Sequence, residues 1–129
     1  MRNRFYLIIV LVILAGVIGF LVWAQFRINQ ASSELKAFAK CLASKGVTMY
    51  GTESCSWCLK QKNEFKSAWQ YVNYVDCFKN PNKCVAEKIE GTPAWIFPSA
   101  SPGQAQDKKI IGYQELKVLS EESGCALEL

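Results

Sequence analysis

The chain has 129 residues, 50% of them hydrophobic, a length that allows one folded domain with its own core and little else. The three arginines flank an apolar N-terminus, whereas 12 lysines oppose 11 carboxylates from Ile28 onward. The remainder is therefore almost neutral and has no basic stripe with interleaved aromatic residues, which excludes nucleic-acid binding. The absence of histidine excludes Cys–His nucleophilic catalysis, histidine metal ligation and histidine acid–base chemistry.

The N-terminus contains an uncharged apolar run at residues 5–24. About 20 residues suffice for a helix to cross roughly 30 Å of hydrocarbon. Arg2 and Arg4 precede this run, so we expect a single-pass helix in the cell membrane with its N-terminus in the cytoplasm and the rest of the chain outside. A signal peptide cleaved near Ala24, which would release a secreted protein, is the alternative, although secretory apolar regions are usually shorter, about 7–15 residues.

This pattern divides the chain into a membrane anchor at residues 1–27, a linker at 28–34 and a folded domain at 35–129. The polar linker could also continue the membrane helix. Ser32 or Ser33 is a candidate cap for the first helix of the domain, which has an apolar face and ends at Gly46.

The remaining elements are predicted from hydrophobic periodicity and from Gly and Pro residues, which mark turns and the ends of elements. Predicted strands alternate with predicted helices, and the last two strands are joined by a long loop. The predicted elements are a strand at 47–51, a helix at 57–69, a strand at 71–76, a short helix from Pro81 that includes Ile89, a strand at 94–97, a loop at 98–108, a strand at 109–112 and a helix at 114–123 that stops at Gly124.

This order predicts an α/β domain. Strands separated by helices predict right-handed parallel crossovers, and the final pair predicts an antiparallel hairpin. The expected architecture is a mixed four-stranded sheet with helices on both faces, preceded by one transmembrane helix.

The chain has six cysteines, an even number that, beside an export segment, indicates an oxidising compartment and disulfide bonds. Cys55-Ser56-Trp57-Cys58 stands where a predicted strand meets a predicted helix. Helix N-terminal N–H groups and the helix dipole favour the thiolate, which is the reactive species. We therefore expect Cys55 as the nucleophile and Cys58, one turn inside, as the resolving thiol.

Other interpretations of this pair are half of a metal site or a purely structural disulfide. Trp57 is expected either as an exposed contact surface beside the sulfurs or as a packing residue.

The CxxC helix start and the later Thr92-Pro93 before a strand resemble the thioredoxin superfamily. Within that superfamily, the chain resembles the thioredoxin-like domain associated with bacterial homologues of vitamin K epoxide reductase. The residues that carry this resemblance are FAKCL at 38–42, MYG at 49–51, QK at 61–62, YVDC at 74–77 and IEGTPAW at 89–95. The resemblance implies that Pro93 is cis and that Thr92 offers its backbone to an extended substrate chain.

Three features depart from that family. Ser56 and Trp57 replace the Pro-His common in this domain. The reduction potential of that domain therefore cannot be assigned to Cys55 and Cys58. Met49 stands where thioredoxins bury an aspartate that accepts a proton, and the nearby Glu53 is expected to be exposed. Deprotonation of Cys58 is therefore expected to depend on water or a lysine. The loop at 98–108 is longer than usual, and its role is not predicted.

The other four cysteines are expected in structural disulfides. Cys77 and Cys84 flank a turn and are expected to form one of these disulfides. The alternatives are that the pair relays electrons to Cys55 and Cys58, or that it contributes to a zinc site. In the thioredoxin-like fold, Cys41 and Cys125 end the first and last helices at one edge of the sheet and are expected to pair. Free thiols or an intermolecular bridge are the alternatives.

The sequence thus predicts a membrane-anchored, extracytoplasmic thiol–disulfide oxidoreductase without cofactor or resident metal, acting on exported proteins that carry thiols or disulfides. The resemblance implies a membrane partner of the vitamin K epoxide reductase type, which passes electrons to a quinone and keeps the domain oxidising. A reductase or isomerase of the same fold, a non-catalytic disulfide-stapled peptide-binding domain and a zinc-holding structural domain are the alternatives.

Overall fold

The structure is a computed structural model that describes residues 2–99 and 107–127. It divides into two compact units, Met1–Ser33 and Glu34–Leu129. Most of the predicted loop at 98–108 lies outside the described residues.

The first helix, α1, runs from Arg2 to Ser44. By length and composition it could cross a membrane or act as a signal sequence, with a mean hydropathy of 3.1 in its most apolar stretch. Residues 28–34 are helical, so Ser32 and Ser33 cap no new helix. The reason is local: neither Gly nor Pro interrupts residues 20–45, and the Ser33 hydroxyl donates within the helix to the Gln30 carbonyl oxygen at 2.7 Å.

The folded unit Glu34–Leu129 contains a mixed four-stranded sheet with flanking helices, as predicted. Its strands are β1 (Thr48–Gly51), β2 (Asn73–Asp76), β3 (Ala94–Phe97) and β4 (Lys108–Ile111), in the spatial order β2-β1-β3-β4. β1 pairs with β2 in parallel, with Met49 opposite Tyr74. β3 pairs antiparallel with both β1 and β4.

The expected parallel crossover into β3 is wrong. Asp76 at the end of β2 and Ala94 at the start of β3 flank the same end of β1. The chain therefore enters β3 from the end at which it leaves β2, and β3 must run in the opposite direction. α3 (Pro81–Ala86) has six residues, or about 9 Å, which is too short to carry the chain back along the sheet.

The other helices are α2 (Ser56–Phe65), which a 3-10 helix continues at Lys66–Tyr71, and α4 (Leu116–Ser123). The predicted helix at 57–69 breaks at Lys66, whose φ of 48° ends α2. Ile89 lies beyond α3, which ends at Ala86. Gly124 ends α4 in the left-handed conformation, as its position predicted.

Alternate residues of β1 and β3 point to opposite faces of the sheet and build two apolar clusters. The larger holds Met49 and Trp95 with Phe38 from α1 and Phe65 from α2. Phe65 stacks on Phe38 with ring centroids 6.0 Å apart and lies 6.0 Å from Trp95. The smaller cluster holds Tyr50, Cys84, Ala94 and Ile96. This packing fixes α2, and with it the CxxC segment, against the sheet.

Candidate active site

Cys55 is the N-cap residue of α2. It has an extended backbone, with φ −80° and ψ 113°, and its Sγ accepts a hydrogen bond from the Cys58 backbone N–H at 3.2 Å. The turn after β1 sets this position, with the Cys55 N–H donating to the Thr52 carbonyl oxygen at 3.4 Å. The sulfur therefore faces the unpaired N–H groups and the positive dipole end of α2.

The environment of Cys55 favours its thiolate. Partial burial acts to raise the pKa of Cys55, but it is outweighed by hydrogen bonds from the side chains of Cys58 and Thr92 and from the backbone N–H groups of Cys58 and Trp57. The net effect lowers the pKa below its ordinary value. Cys55 is also half-buried rather than sealed, so a reactive sulfur remains accessible.

Cys58 has the opposite environment. It is a free thiol with 0% of its surface exposed. Burial raises its pKa, and the side-chain hydrogen bond with Cys55 acts in the same direction. Cys58 is thus a protonated, protected thiol next to an ionisable, accessible one, which is the asymmetry that nucleophile and resolving roles require.

Thr92 and Pro93 lie beside Cys55, and the peptide bond between them is cis. The Cys55 thiol lies 3.6 Å from the Thr92 carbonyl oxygen, to which it donates. The Gly112 N–H donates to the Pro93 carbonyl oxygen at 2.7 Å and ties this loop to the end of β4. Among residues 2–99 and 107–127, no hydrogen bond engages the Thr92 N–H, so it is available to an incoming backbone.

An open groove of about 300 Å³ runs beside the sulfurs, lined by Trp57, Thr92, Pro93, Gly112 and Tyr113. Trp57 is 56% exposed, and its ring centroid lies 6.1 Å from that of Tyr113. Trp57 is thus exposed rather than packed into the core. The place of Tyr113 beside Trp57 was not predicted, because no local motif connects Tyr113 with the CxxC segment.

Lys60 adds positive charge to this groove. Its Nζ lies 5.2 Å from the Trp57 ring centroid and 4.3 Å from that of Tyr113. The Tyr113 hydroxyl donates to Glu64 Oε1 at 3.0 Å. The Lys60 ammonium group thus lies against both aromatic rings that line the groove.

Gln61 was also missed, although it ties α2 to the rest of the site. It is fully buried, and its Oε1 accepts from Trp95 Nε1 at 3.3 Å and from the Gln114 N–H at 2.8 Å. Its Nε2 donates to the Gln114 carbonyl oxygen at 2.9 Å. Its position three residues after Cys58 and four before Phe65, on the buried face of α2, was the available signal.

Behind Cys58 the sheet is apolar. Met49 is fully buried and leaves no carboxylate at this position, while Glu53 is exposed and paired with Lys79 at 2.6 Å. Deprotonation of Cys58 therefore has to draw on other groups.

The remaining cysteines form two disulfides. Cys41 at the end of α1 is bonded to Cys125 after α4, and Cys77 after β2 is bonded to Cys84 in α3. Neither bond involves Cys55 or Cys58, which are free. In the described part of the chain, no group of three or more Cys, Asp or Glu side chains is arranged to hold a metal ion.

No family model matches the chain. A curated relative, Thiol-disulfide oxidoreductase LTO1 of Arabidopsis thaliana, is 39% identical over 118 residues, covering 84% of this chain and 29% of the relative. The chain therefore spans less than a third of that relative's length.

Two solved structures are similar at low sequence identity. Chloroplastic thioredoxin z is 18% identical with a TM-score of 0.51, covering 60% of this chain and 74% of the other. The germline-specific thioredoxin Deadhead of Drosophila melanogaster is 20% identical with a TM-score of 0.47, covering 62% and 79%. The likeness to thioredoxin z agrees with the strand order and the CxxC helix start described above. The unit Glu34–Leu129 therefore has the thioredoxin fold.

Proposed function

We propose that this chain is a thiol–disulfide oxidoreductase in which Cys55 is the nucleophile and Cys58 the resolving thiol. The observation that carries the proposal is the half-buried Cys55 sulfur, which caps α2, accepts the Cys58 N–H and has a lowered pKa. The Arabidopsis relative is named for the same activity, which supports the proposal.

Exchange then proceeds in two balanced steps. When the dithiol form acts, the Cys55 thiolate attacks one sulfur of a substrate disulfide, and the other substrate sulfur leaves with the electron pair as a thiolate. Cys58 then attacks Cys55 and releases the second substrate thiolate, which leaves a Cys55–Cys58 disulfide. The same steps in reverse oxidise a substrate dithiol and return both cysteines to the thiol form.

The groove beside Cys55 is the proposed substrate site. An extended substrate segment pairs with the free Thr92 N–H while its cysteine reaches Cys55, which lies 3.6 Å from the Thr92 carbonyl oxygen. Trp57 and Tyr113 provide apolar contact area next to that backbone pairing.

For the direction of electron flow, we propose oxidation of exported proteins at a membrane. The apolar α1, long enough to span a bilayer, would anchor the domain with its N-terminus in the cytoplasm. A vitamin K epoxide reductase-like membrane partner would accept electrons from Cys55 and Cys58 and pass them to a quinone. The sequence resemblance supports this partner, and a shared membrane would raise its effective concentration.

The test of activity uses the full chain purified in detergent. The wild type, with Cys55 and Cys58 in the thiol form, is expected to reduce a model protein that carries a disulfide, Cys55→Ser to lose this activity, and Cys58→Ser to accumulate a mixed disulfide between Cys55 and the model protein. Ser54→Ala, an exposed change in the preceding turn, is the control and should retain wild-type rates. Equal rates for wild type and Cys55→Ser would instead indicate a peptide-binding domain without turnover.

The direction is tested by the reduction potential of the Cys55–Cys58 couple. A value near −120 mV, as in strong oxidants, would support oxidation, whereas one near −270 mV, as in thioredoxin, would support the reductase alternative. Retention of the chain in membranes after alkaline extraction would support anchoring, and its release would support cleavage near Ala24.

A further inference from the structure

The Tyr74 hydroxyl is an unusual feature of the folded unit. Its oxygen is buried, and within the part of the chain that the structure describes it has no hydrogen-bond partner. Leaving a buried hydroxyl unpaired costs free energy, so such groups in native proteins usually have a specific explanation.

Tyr74 lies on the same side of the sheet as Cys58. It is opposite Met49 in the parallel pair of β1 and β2. A Cβ placed on Gly51 would lie 2.9 Å from Cys58 Sγ and 3.3 Å from Tyr74 Cε2. The sulfur and the edge of the ring therefore converge over Gly51, and the glycine leaves room for both.

The Tyr74 ring is held in place by two neighbours. Trp69 meets it edge-on with centroids 5.4 Å apart, and Lys62 Nζ lies 4.0 Å from its centroid. Because these contacts restrict the ring, they also restrict the position of its buried hydroxyl.

Cys58 needs a partner at one stage of exchange. It must ionise to attack Cys55, yet burial disfavours its thiolate more than hydrogen bonding to the Thr52 backbone and the Thr92 side chain favours it. A neutral thiol is a weak hydrogen-bond acceptor, whereas a thiolate is a charged and much stronger one. If the Tyr74 hydroxyl serves the Cys58 thiolate, it should have no partner while Cys58 is a neutral thiol, as is found among the residues that the structure describes.

We propose that the Tyr74 hydroxyl donates a hydrogen bond to the Cys58 sulfur when that sulfur ionises, which makes Tyr74 a positioning residue for the resolving step. This inference rests on the proposed function, because it assigns Tyr74 a part in the same exchange. The Cys58 proton passes to a base in solvent. The thiolate then forms the bond to Cys55, and the substrate sulfur leaves with the electron pair of the broken bond.

Tyr74 remains a donor throughout this step. Burial, followed by the charges of Asp76, Cys58, Glu53 and Cys55, raises the pKa of Tyr74 to about 12. The hydroxyl therefore keeps its proton over the range in which thiols ionise, while the Lys62 ammonium lies against the ring.

The direct test is the titration of Cys58 in full-length Cys55→Ser protein, in which Cys58 is the remaining free thiol. Its ionisation is followed by NMR through the Cβ chemical shift of selectively labelled cysteine. Adding Tyr74→Phe, which removes one oxygen and keeps the ring, is expected to raise the pKa of Cys58 by about one pH unit. Tyr71→Phe is the matched control, because Tyr71 also packs under a lysine, with Lys40 Nζ 4.6 Å from its centroid.

An unchanged or lowered pKa of Cys58 in the Tyr74→Phe protein, relative to the Tyr71→Phe control, overturns the inference. This outcome does not depend on catalysis, so it is distinct from failure of the proposed function, in which the wild type shows no exchange. With Cys55 intact, Tyr74→Phe is expected to slow the release of the mixed disulfide about tenfold at neutral pH. Formation of that disulfide should be unaffected, a split that general destabilisation would not produce.

Discussion

Two cysteines three positions apart have opposite chemical environments in this molecule. Cys55 lies outside the first turn of α2 and receives N–H donors, whereas Cys58 lies inside the turn and is buried against the sheet. The pKa is lowered at the first and raised at the second. Their positions relative to the start of α2 thus give the two cysteines different pKa values and different roles.

The pH dependence of alkylation tests this division. In the reduced chain, the rate of Cys55 alkylation should reach half of its maximum below the pH at which a free cysteine thiol does, about 8.5, because the thiolate is the reacting species and the pKa of Cys55 is lowered. A half-maximum at or above that pH would contradict the hydrogen bonding described for Cys55.

The same lowered pKa affects stability. A group whose folded-state pKa is lower than its unfolded value contributes stability above the unfolded pKa and loses it as pH falls through the folded one. The reduced chain should therefore gain stability over Cys55→Ser as pH rises from below the folded-state pKa toward about 9. Denaturant unfolding of both proteins across this window measures the gain, and a constant difference would contradict it.

At the scale of elements, α2 is positioned by one buried polar side chain. Gln61 links α2 to β3 through Trp95 and to the segment before α4 through Gln114. Since all three hydrogen bonds come from the Gln61 side chain, the orientation of α2, and with it the position of Cys55, depends on Gln61. The aromatic stack of Phe38, Phe65 and Trp95 supports the same contact from the apolar side.

Gln61→Leu should destabilise the fold by about 3 kcal/mol, because it leaves the Trp95 indole N–H and two Gln114 backbone groups without their partners. The measurement is denaturant unfolding under conditions that preserve the disulfides. Gln70→Leu, at an exposed glutamine of the 3-10 helix, is the matched control and should change stability by less than about 0.5 kcal/mol. Equal effects of the two substitutions would contradict the role of Gln61.

At the scale of the whole folded unit, a long-range disulfide joins its two ends. The Cys41–Cys125 bond links residues 84 positions apart, whereas Cys77–Cys84 links residues 7 apart. Cross-links restrict the unfolded chain more when they close longer loops, by about 4.5 and about 2.5 kcal/mol respectively in the chain-entropy model.

Replacing Cys41 and Cys125 together by Ala should therefore reduce the free energy of unfolding about 2 kcal/mol more than the same change at Cys77 and Cys84. Denaturant unfolding of the two double variants without reductant gives the comparison. A larger loss at Cys77 and Cys84 would show that local packing around that turn outweighs loop closure.

The sequence by itself determined the order of the strands and helices, because hydrophobic periodicity, Gly124 and Pro81 are local signals. It did not determine the break at Lys66, the end of α3 or the continuity of α1 through Ser32 and Ser33. It also determined the CxxC segment and Thr92-Pro93, since each is a short motif. The four-stranded mixed sheet is confirmed on this basis. The predicted direction of β3 was wrong, because that direction depends on where β2 ends relative to β1. No local stretch of sequence carries this information.

The tertiary structure decided which side chains surround the sulfurs. Tyr113 and Tyr74 lie far from the CxxC segment in sequence, and packing of the sheet against α2 brings them to it. The same packing gives Gln61 of α2 its partners Trp95 and Gln114. In the sequence, the spacing of these residues does not distinguish them from ordinary core or surface residues. The environment of Cys58 follows from distances between elements remote in sequence, and those distances are set when the whole domain folds.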